Sequence, residues 1–250
     1  MIYTKSSTEA LAGRRIIKSP GTGIEHWGAE FFGPRSSTGV APGPQATMSD
    51  LNPGETILPH FHGTTQFQLF AAGSGIIGRT ALQPLVVQYK DHHTTYGPVT
   101  AGPQGLSFMA VRIHTGVSAP VYSHEPDFRD KLKPSKRRNW LTEPIGLSTE
   151  PVLQFRTEAS WEPLYDQEKI DDDMNAHVVR LGAGMTVKAP DPRKGGGYYV
   201  FVANGSMAKD GQDLPRWSMV AVESSEPEYE IRAGNKGLEA LVLQFPSGQE

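Results

Sequence analysis

The feature that most constrains the fold of this 250-residue chain is an internal repeat at an offset of 132 positions. Starting at residue 63, the spacing of glycines and apolar residues is reproduced 132 positions later, without a gap through residue 113. The aligned pairs include Gly63 with Gly195, Gly73 with Gly205, Gly105 with Gly237, Phe67 with Tyr199, Leu69 with Phe201 and Met109 with Leu241. Glycines mark special backbone geometry, and alternating apolar residues mark the buried face of a strand. The chain is therefore interpreted as two copies of one β-domain.

The composition agrees with short strands joined by tight turns. The 27 glycines and 20 prolines favour many turns over a helical bundle. Helix is expected to be limited to one or two turns within residues 161–174. The formal net charge of −3 provides no global attraction to nucleic acid or to an anionic membrane. A basic cluster in residues 131–138 is interpreted as part of a solvated linker.

Several classes of protein and site are excluded or disfavoured. The chain has no cysteine, which excludes disulfides and thiolate metal sites. Its first 21 residues are polar and lack the apolar core of a signal peptide. No stretch approaches the ~18 to 20 apolar residues of a membrane span. These observations predict a cytoplasmic protein whose partner is a small molecule, with no nucleic acid and no membrane bound.

Five residues in fixed order and spacing lie in the first copy: Gly54, His60, His62, Gln66 and Gly73. Residues two apart on a strand point to the same face, so His60 and His62 are expected to project together. Turn residues follow, and Gln66 opens the next alternating run, which places its side chain opposite the imidazoles across a hairpin. This arrangement allows a strand to present two metal ligands.

These landmarks resemble the first conserved motif of the cupin superfamily at every fixed position but one. The departure is Gln66, where most metal-binding cupins carry glutamate. Together with the repeat, they make the chain similar to a bicupin, a protein of two cupin domains. The resemblance implies an all-β fold of two tandem jelly-roll (double-stranded β-helix) barrels with little helix. The expected organisation is an N-terminal arm (1–25), a metal-binding cupin domain (26–125), a linker (126–150) and a degenerate cupin domain (151–250).

The second copy lacks the ligands of the first. At the same offset the aligned residues are His60 with Pro192, His62 with Lys194, and Gln66 with Tyr198. Proline has no metal-binding side chain, and lysine is normally protonated at neutral pH. One mononuclear site is therefore expected, in the first domain.

The remaining ligands are left open by the sequence. Cupins usually add a histidine from a second motif, and Tyr96 stands at that position here. A phenolate binds well only to a strongly Lewis-acidic ion, whereas neutral tyrosine more often donates a hydrogen bond to substrate. His93 supplies an imidazole if the turn bulges. Three versions follow: His60, His62 and His93 with Gln66 near or on the metal; His60, His62, Gln66 and Tyr96; or the same groups binding an organic ligand without metal.

Strand alternation identifies further candidate cavity residues. Gln68 and Phe70 share the parity of Gln66, so they are candidate substrate-binding residues if Gln66 points inward. On the last strand of the first copy, Arg112 and His114 share a face. They either anchor a carboxylate or enolate, or lie at a rim or interface.

The resemblance implies a metal-dependent enzyme, although a fold alone does not select a reaction. The leading hypothesis is dioxygenase-type chemistry on a small enolisable or aromatic, oxygen-rich substrate, with isomerase or lyase activity as alternatives. The implied cofactor is one divalent transition metal, iron first, with nickel, manganese, zinc or copper as alternatives. Tyr96 and Gln66 are candidate catalytic residues that orient the substrate or stabilise negative charge. A non-catalytic bicupin that binds or senses a small molecule is the main alternative, and a homodimer is expected.

Overall fold

The computed structural model describes residues 1–19, 21–33, 43–113 and 119–248. These residues form two compact units. The first unit spans Gly13–Ile145, and the second combines Met1–Ala12 with Gly146–Glu250. They are called the first and the second barrel below.

Alternating apolar residues and frequent turn residues produce strands in both units. In chain order the strands are β1 (Ile2–Lys5), β2 (Arg15–Lys18), β3 (Glu25–Phe32), β4 (Gln45–Leu51), β5 (Thr56–Ile57), β6 (His60–Phe61), β7 (Gln66–Ile77), β8 (Thr80–Leu82), β9 (Val87–Lys90), β10 (Val99–Arg112), β11 (Val121–Tyr122), β12 (Asn139–Leu141), β13 (Ser160–Pro163), β14 (Asn175–Leu181), β15 (Thr186–Lys188), β16 (Tyr198–Lys209), β17 (Gln212–Pro215), β18 (Met219–Val222) and β19 (Glu230–Gln244).

Helix is scarce. In the described part of the chain it comprises α1 (Ser7–Ala12), α2 (Glu150–Gln154) and two 3₁₀ turns, Gln167–Lys169 and Pro192–Lys194. The first of these turns lies in residues 161–174, where one or two helical turns were expected. The prediction of an all-β fold with little helix is confirmed. None of the described helices is long and apolar enough to cross a membrane.

Antiparallel pairing connects the strands of the first barrel. Its large sheet has the order β12, β9, β7, β10, β4, β3, β2, with β5 beside β10 and β8 beside β7. A small sheet pairs β6 with β11. β6 begins at His60, which also forms an isolated antiparallel bridge with Tyr96. The bridge fixes the backbone around Tyr96 next to the His-x-His segment.

The second barrel repeats this architecture. Its sheet has the order β1, β18, β16, β19, β14, β13, with β15 beside β19 and β17 beside β16. The bounds of β7 and β16 differ by 132 residues at both ends. The pairing also repeats, because Met109 lies opposite Leu69 in the first barrel and Leu241 opposite Phe201 in the second. The two-domain interpretation of the repeat is confirmed.

The repeated glycines have the same structural cause in both barrels. Gly73 has a φ of 77°, and a β-carbon there would lie 2.2 Å from the carbonyl oxygen of Gly105. Gly205 has a φ of 69°, and its β-carbon would lie 2.1 Å from the carbonyl oxygen of Gly237. Positive φ and close backbone contact both require glycine. The glycine spacing therefore records one close strand contact that occurs twice.

The two barrels differ in what fills their interiors. Aligned buried positions are polar in the first barrel and apolar in the second: Gln68 with Val200, Gln88 with Val220, and Lys90 with Val222. The three valines belong to one apolar core cluster. The residue that aligns with His60, Pro192, begins a 3₁₀ turn. At these aligned positions, polar side chains are therefore specific to the first copy.

The segment predicted as an N-terminal arm is divided between the units. In the second barrel, β1 pairs with β18, and the ammonium group of Met1 lies 2.6 Å from the Glu223 carboxylate. In the first barrel, β2 pairs with β3. Residues 1–12 and residues 13–25 thus belong to different units.

The basic cluster of the linker is only partly solvated. Arg138 is buried, and its guanidinium donates to both carboxylate oxygens of Asp91, at 2.8 and 3.1 Å. It also donates to the Tyr89 hydroxyl at 2.9 Å. The interpretation of the cluster as a solvated linker is wrong for Arg138, because a buried carboxylate partner compensates its charge.

Candidate functional site

A cavity of about 180 Å³ lies within the first barrel. Its wall combines apolar side chains, among them Ile57 and Phe108, with a few polar groups, which is typical of small-molecule sites. The residues predicted from sequence that line it are His60, His62, Gln68, Tyr96 and Arg112. The volume suits a compact ligand.

His60, His62 and Tyr96 converge on one part of the cavity wall. The two imidazole ring centroids are 5.0 Å apart. The Nδ1–H of His60 donates to the Leu58 carbonyl oxygen at 2.7 Å, so Nε2 carries the lone pair. The Tyr96 hydroxyl donates to this Nε2 at 2.6 Å and lies 3.4 Å from Nε2 of His62. The Tyr96 hydroxyl oxygen therefore lies within 3.4 Å of one imidazole nitrogen of each histidine.

Burial sets the protonation of these groups. It lowers the pKa of His60 to about 3, and the charges of Lys90 and Arg112 act in the same direction. Burial also raises the pKa of Tyr96 above its ordinary value. At neutral pH His60 is therefore a neutral acceptor and Tyr96 a protonated donor, as their hydrogen bond requires.

Gln66 holds Arg112 in place. Arg112 is buried, and its guanidinium donates to the amide oxygens of Gln66 and Gln45, each at 2.5 Å. Gln66 also interacts with the Tyr96 hydroxyl and lowers the pKa of that phenol, although its Nε2 has no acceptor at hydrogen-bond distance among the described residues. The predicted ligand atom of Gln66, its amide oxygen, is thus bound to Arg112. The Gln66 amide holds the Arg112 guanidinium without adding a charge, whereas a glutamate at this position would form an ion pair with it.

Lys90 is a buried amine next to the cavity that the sequence pattern alone does not identify. Its Nζ donates to Gln68 Oε1 at 3.1 Å and lies 2.7 Å from the ring centroid of Tyr96. Gln68 in turn directs its Nε2 to the Tyr96 hydroxyl at 3.5 Å. Burial lowers the pKa of Lys90 well below its ordinary value, and the charge of Arg112 acts in the same direction. Gln68, which lines the cavity, and Lys90, which lies behind it, therefore fix the position of Tyr96.

Other predicted site residues lie away from the imidazoles. His93 packs against Phe61, with ring centroids 5.3 Å apart, and its Nδ1 meets Nδ1 of His92 at 2.8 Å. Phe61 points away from the face shared by its two histidine neighbours. Phe70 belongs to the apolar core, where its ring centroid is 6.1 Å from that of Phe108. His114 lies outside the described residues.

Comparison with known proteins identifies the fold. No family model and no curated protein sequence matches the chain. YhhW from Escherichia coli aligns over 100% of both chains, with a TM-score of 0.57 and 12% identity. Salicylate 1,2-dioxygenase from Pseudaminobacter salicylatoxidans aligns over 98% of this chain and 84% of its own, with a TM-score of 0.57 and 13% identity. Quercetin 2,3-dioxygenase from Acinetobacter baumannii aligns over 99% of this chain and 79% of its own, with a TM-score of 0.52 and 12% identity.

These solved structures share the cupin fold. The chain has the bicupin fold. At identities of 12–13%, the structural alignments show the architecture of this bicupin and do not show its activity. A structure of YhhW from Escherichia coli in complex with nickel(II) also aligns, with a TM-score of 0.54.

The donor set of the bicupin fits a weakly held divalent transition metal. His60 has its Nδ1–H fixed by a carbonyl oxygen, the arrangement that orients metal-binding histidines. His62 and Tyr96 supply a second nitrogen and an oxygen nearby. The described residues contain no group of three or more His, Cys, Asp or Glu side chains placed to hold an ion. Two imidazole ligands beside the charged Arg112 therefore need an anionic ligand to complete a stable site.

The sequence contained a signal for the residues it missed. Inward-facing positions that are polar in one copy and valine in the other mark the functional interior, and Lys90 is one of them. The cavity also contains a buried cluster of Ser19 and His26 with Glu55 behind them. Ser19 and His26 lie outside the motif that runs from Gly54 to Gly73, whereas Glu55 occupies a variable position within it, and long-range folding brings the three together.

Proposed function

We propose that the first barrel binds one divalent transition metal through His60 and His62 and catalyses dioxygenase-type chemistry on a small anionic substrate. The substrate class is an enolisable or aromatic compound with adjacent oxygen donors. The observation that carries the proposal is the convergence of two imidazole Nε2 atoms and the Tyr96 hydroxyl on one cavity wall. Iron is the first choice of metal, with nickel, manganese, zinc and copper as alternatives.

Charge supports an anionic substrate. Arg112 lines the cavity, and its two described amide partners, on Gln45 and Gln66, carry no charge. No aspartate or glutamate is among the described residues that line the cavity. A carboxylate, enolate or phenolate would meet a positive potential there without a competing anion.

Each polar residue has a proposed role. His60 and His62 hold the ion, which when bound supplies a Lewis acid next to the substrate oxygens. Arg112 anchors the anionic group of the substrate, and Gln66 positions Arg112. The Tyr96 hydroxyl donates a hydrogen bond to an oxygen that gains negative charge, with Gln68 and Lys90 holding the phenol in place.

The similar solved structures support this class of activity. Two of them are named as dioxygenases, of salicylate and of quercetin, and one YhhW structure contains nickel(II). Salicylate is a small aromatic carboxylate with an adjacent hydroxyl, which resembles the proposed substrate class. The cavity of about 180 Å³ favours a compact compound of that kind over a flavonol.

Metal analysis and oxygen consumption test the proposal. Untagged protein loaded with Fe(II) should retain close to one equivalent after desalting in the presence of salicylate, used as a chelating anion. The variant His60→Ala/His62→Ala should lose this metal, whereas His177→Ala, a histidine substitution in the second barrel, should keep it. Oxygen uptake should then be screened with small hydroxy acids and diketones. Equal metal retention by the double variant and the wild type would refute the metal site.

A second candidate function is metal-free binding of a small anion. The observation in its favour is the buried Arg112 guanidinium, which lines a cavity with no aspartate or glutamate among its described lining residues. Thermal stabilisation by salicylate that is unchanged by EDTA and by His60→Ala/His62→Ala, yet lost in Arg112→Leu, would select this function.

A further inference from the structure

A second polar cluster faces the same cavity from different strands. Ser19 follows β2, His26 lies on β3, and both line the cavity. The Nδ1–H of His26 donates to Glu55 Oε1 at 2.9 Å, and the Ser19 hydroxyl donates to the same oxygen at 2.9 Å. All three side chains are buried, with exposures of 7% or less. The cluster is therefore a carboxylate and histidine pair directed at the ligand space.

Glu55 is fixed from both sides. Its Oε2 accepts hydrogen bonds from the backbone N–H of Asn52 at 3.0 Å and from the Asn52 side-chain amide at 3.1 Å. Three hydrogen bonds, from Ser19 and twice from Asn52, thus hold the carboxylate in place for the His26 Nδ1–H. A carboxylate at Nδ1 sets the ring tautomer, so that the lone pair lies on Nε2, and it stabilises the imidazolium that forms on protonation.

We propose that His26, oriented by Glu55, is the general base of this cavity and removes a proton from the bound substrate. The proposal rests on the function proposed above, because it concerns the same cavity and substrate class. The proton moves from an enolisable carbon or a hydroxyl group to Nε2 of His26. The electron pair of the broken bond stays on the substrate as an enolate or phenolate. The imidazolium is paired with Glu55, and the substrate anion faces Arg112.

The other candidate bases are less suitable. His60 already accepts the Tyr96 hydroxyl hydrogen at Nε2, and burial gives it little proton affinity. Gln66 has no basic atom, although it stands at the position where most metal-binding cupins have a glutamate. His26 restores to the cavity a base that this substitution removes.

Deuterium exchange tests the base directly. Pyruvate and pentane-2,4-dione, two enolisable probes, are incubated anaerobically in D2O with the full-length protein, both metal-loaded and metal-free, and exchange is followed by ¹H NMR. His26→Ala should slow exchange by about 100-fold or more, within the range for loss of a general base. Added imidazole should restore exchange in this variant, which a purely structural defect would not allow. His177→Ala, a half-buried histidine in the second barrel, serves as the matched control.

The variant Glu55→Gln distinguishes a role in positioning His26 from a role in binding the probe. The rate of exchange at saturating probe should fall, while the probe concentration giving half-maximal rate stays within about twofold, because Glu55 does not line the cavity. Wild-type exchange in His26→Ala, or no acceleration of either probe by the wild type, would overturn the role of His26. Exchange that persists in His60→Ala/His62→Ala but not in His26→Ala would instead show that proton removal needs the base and not the metal site, while metal retention by the double variant tests the metal site separately.

Discussion

Burial of a neutral imidazole makes the stability of the metal-free first barrel depend on pH. Burial is the main cause that lowers the pKa of His60 from 6.5 to about 3. Between these two values the unfolded chain binds a proton that the folded chain does not. The contribution of neutral His60 to the free energy of unfolding is therefore at its maximum above pH 6.5. As the pH drops from 6.5 towards 3, the free energy of unfolding falls by about 1.4 kcal/mol per pH unit.

His60→Gln removes this titration and keeps a neutral polar side chain. Taking the difference between wild type and variant cancels the groups that titrate in both. From pH 7.5 to pH 4.5 the wild type should lose about 2.7 kcal/mol more unfolding free energy than the variant. The difference between the two proteins should stay constant above pH 7.5.

Urea unfolding after treatment with EDTA measures this difference. Of the four tryptophans, Trp161 and Trp217 lie in the second barrel. Replacing both by phenylalanine in wild type and variant makes fluorescence report on the first barrel alone. A difference that changes by less than about 0.5 kcal/mol between pH 7.5 and 4.5, or that changes in the opposite direction, would refute the neutral buried His60.

Three further predictions concern the site, the fold and the assembly. In Gln66→Glu, the carboxylate introduced at position 66 should pair with Arg112. Calorimetry should therefore show at least about tenfold weaker binding of salicylate and stronger binding of Fe(II). Unchanged affinities would contradict the proposed role of Gln66. Gly205→Ala should lower the free energy of unfolding by about 3 kcal/mol or more, because its β-carbon would lie 2.1 Å from the Gly237 carbonyl oxygen. Gly211 has a φ of 77° and open space around it, so Gly211→Ala should lower the free energy of unfolding by only about 1 to 2 kcal/mol in denaturation experiments. Sedimentation at micromolar concentration should show the predicted homodimer, and a monomer would refute it.

The fold was predictable because its determinants are local and occur twice. Gly73 and Gly205 require positive φ at the same close strand contact, so their spacing survives where other identities are lost. Strand alternation also placed His60 and His62 on one face, and the rings do lie together. These features depend on the period of a strand and on backbone geometry, which a single sequence displays directly.

The remaining site residues depend on long-range pairing that the sequence does not display. Arg112 reaches Gln66 across 46 residues, and this contact determines where the Gln66 amide oxygen points. His93 adopts a φ of 54° in its turn and packs against Phe61, so counting positions did not locate it. Lys90 has no charged neighbour pattern that singles it out in the local sequence, and only its alignment with a valine in the second copy marks it as an inward position.

The proposed metal site has two imidazole ligands in the first barrel, those of His60 and His62. X-ray absorption spectroscopy of the Fe(II)-loaded protein counts imidazole ligands directly. We expect two imidazoles, with oxygen atoms completing the coordination, and loss of bound iron in His60→Ala/His62→Ala. A count of three or more imidazoles, or an unchanged spectrum in the double variant, would contradict it.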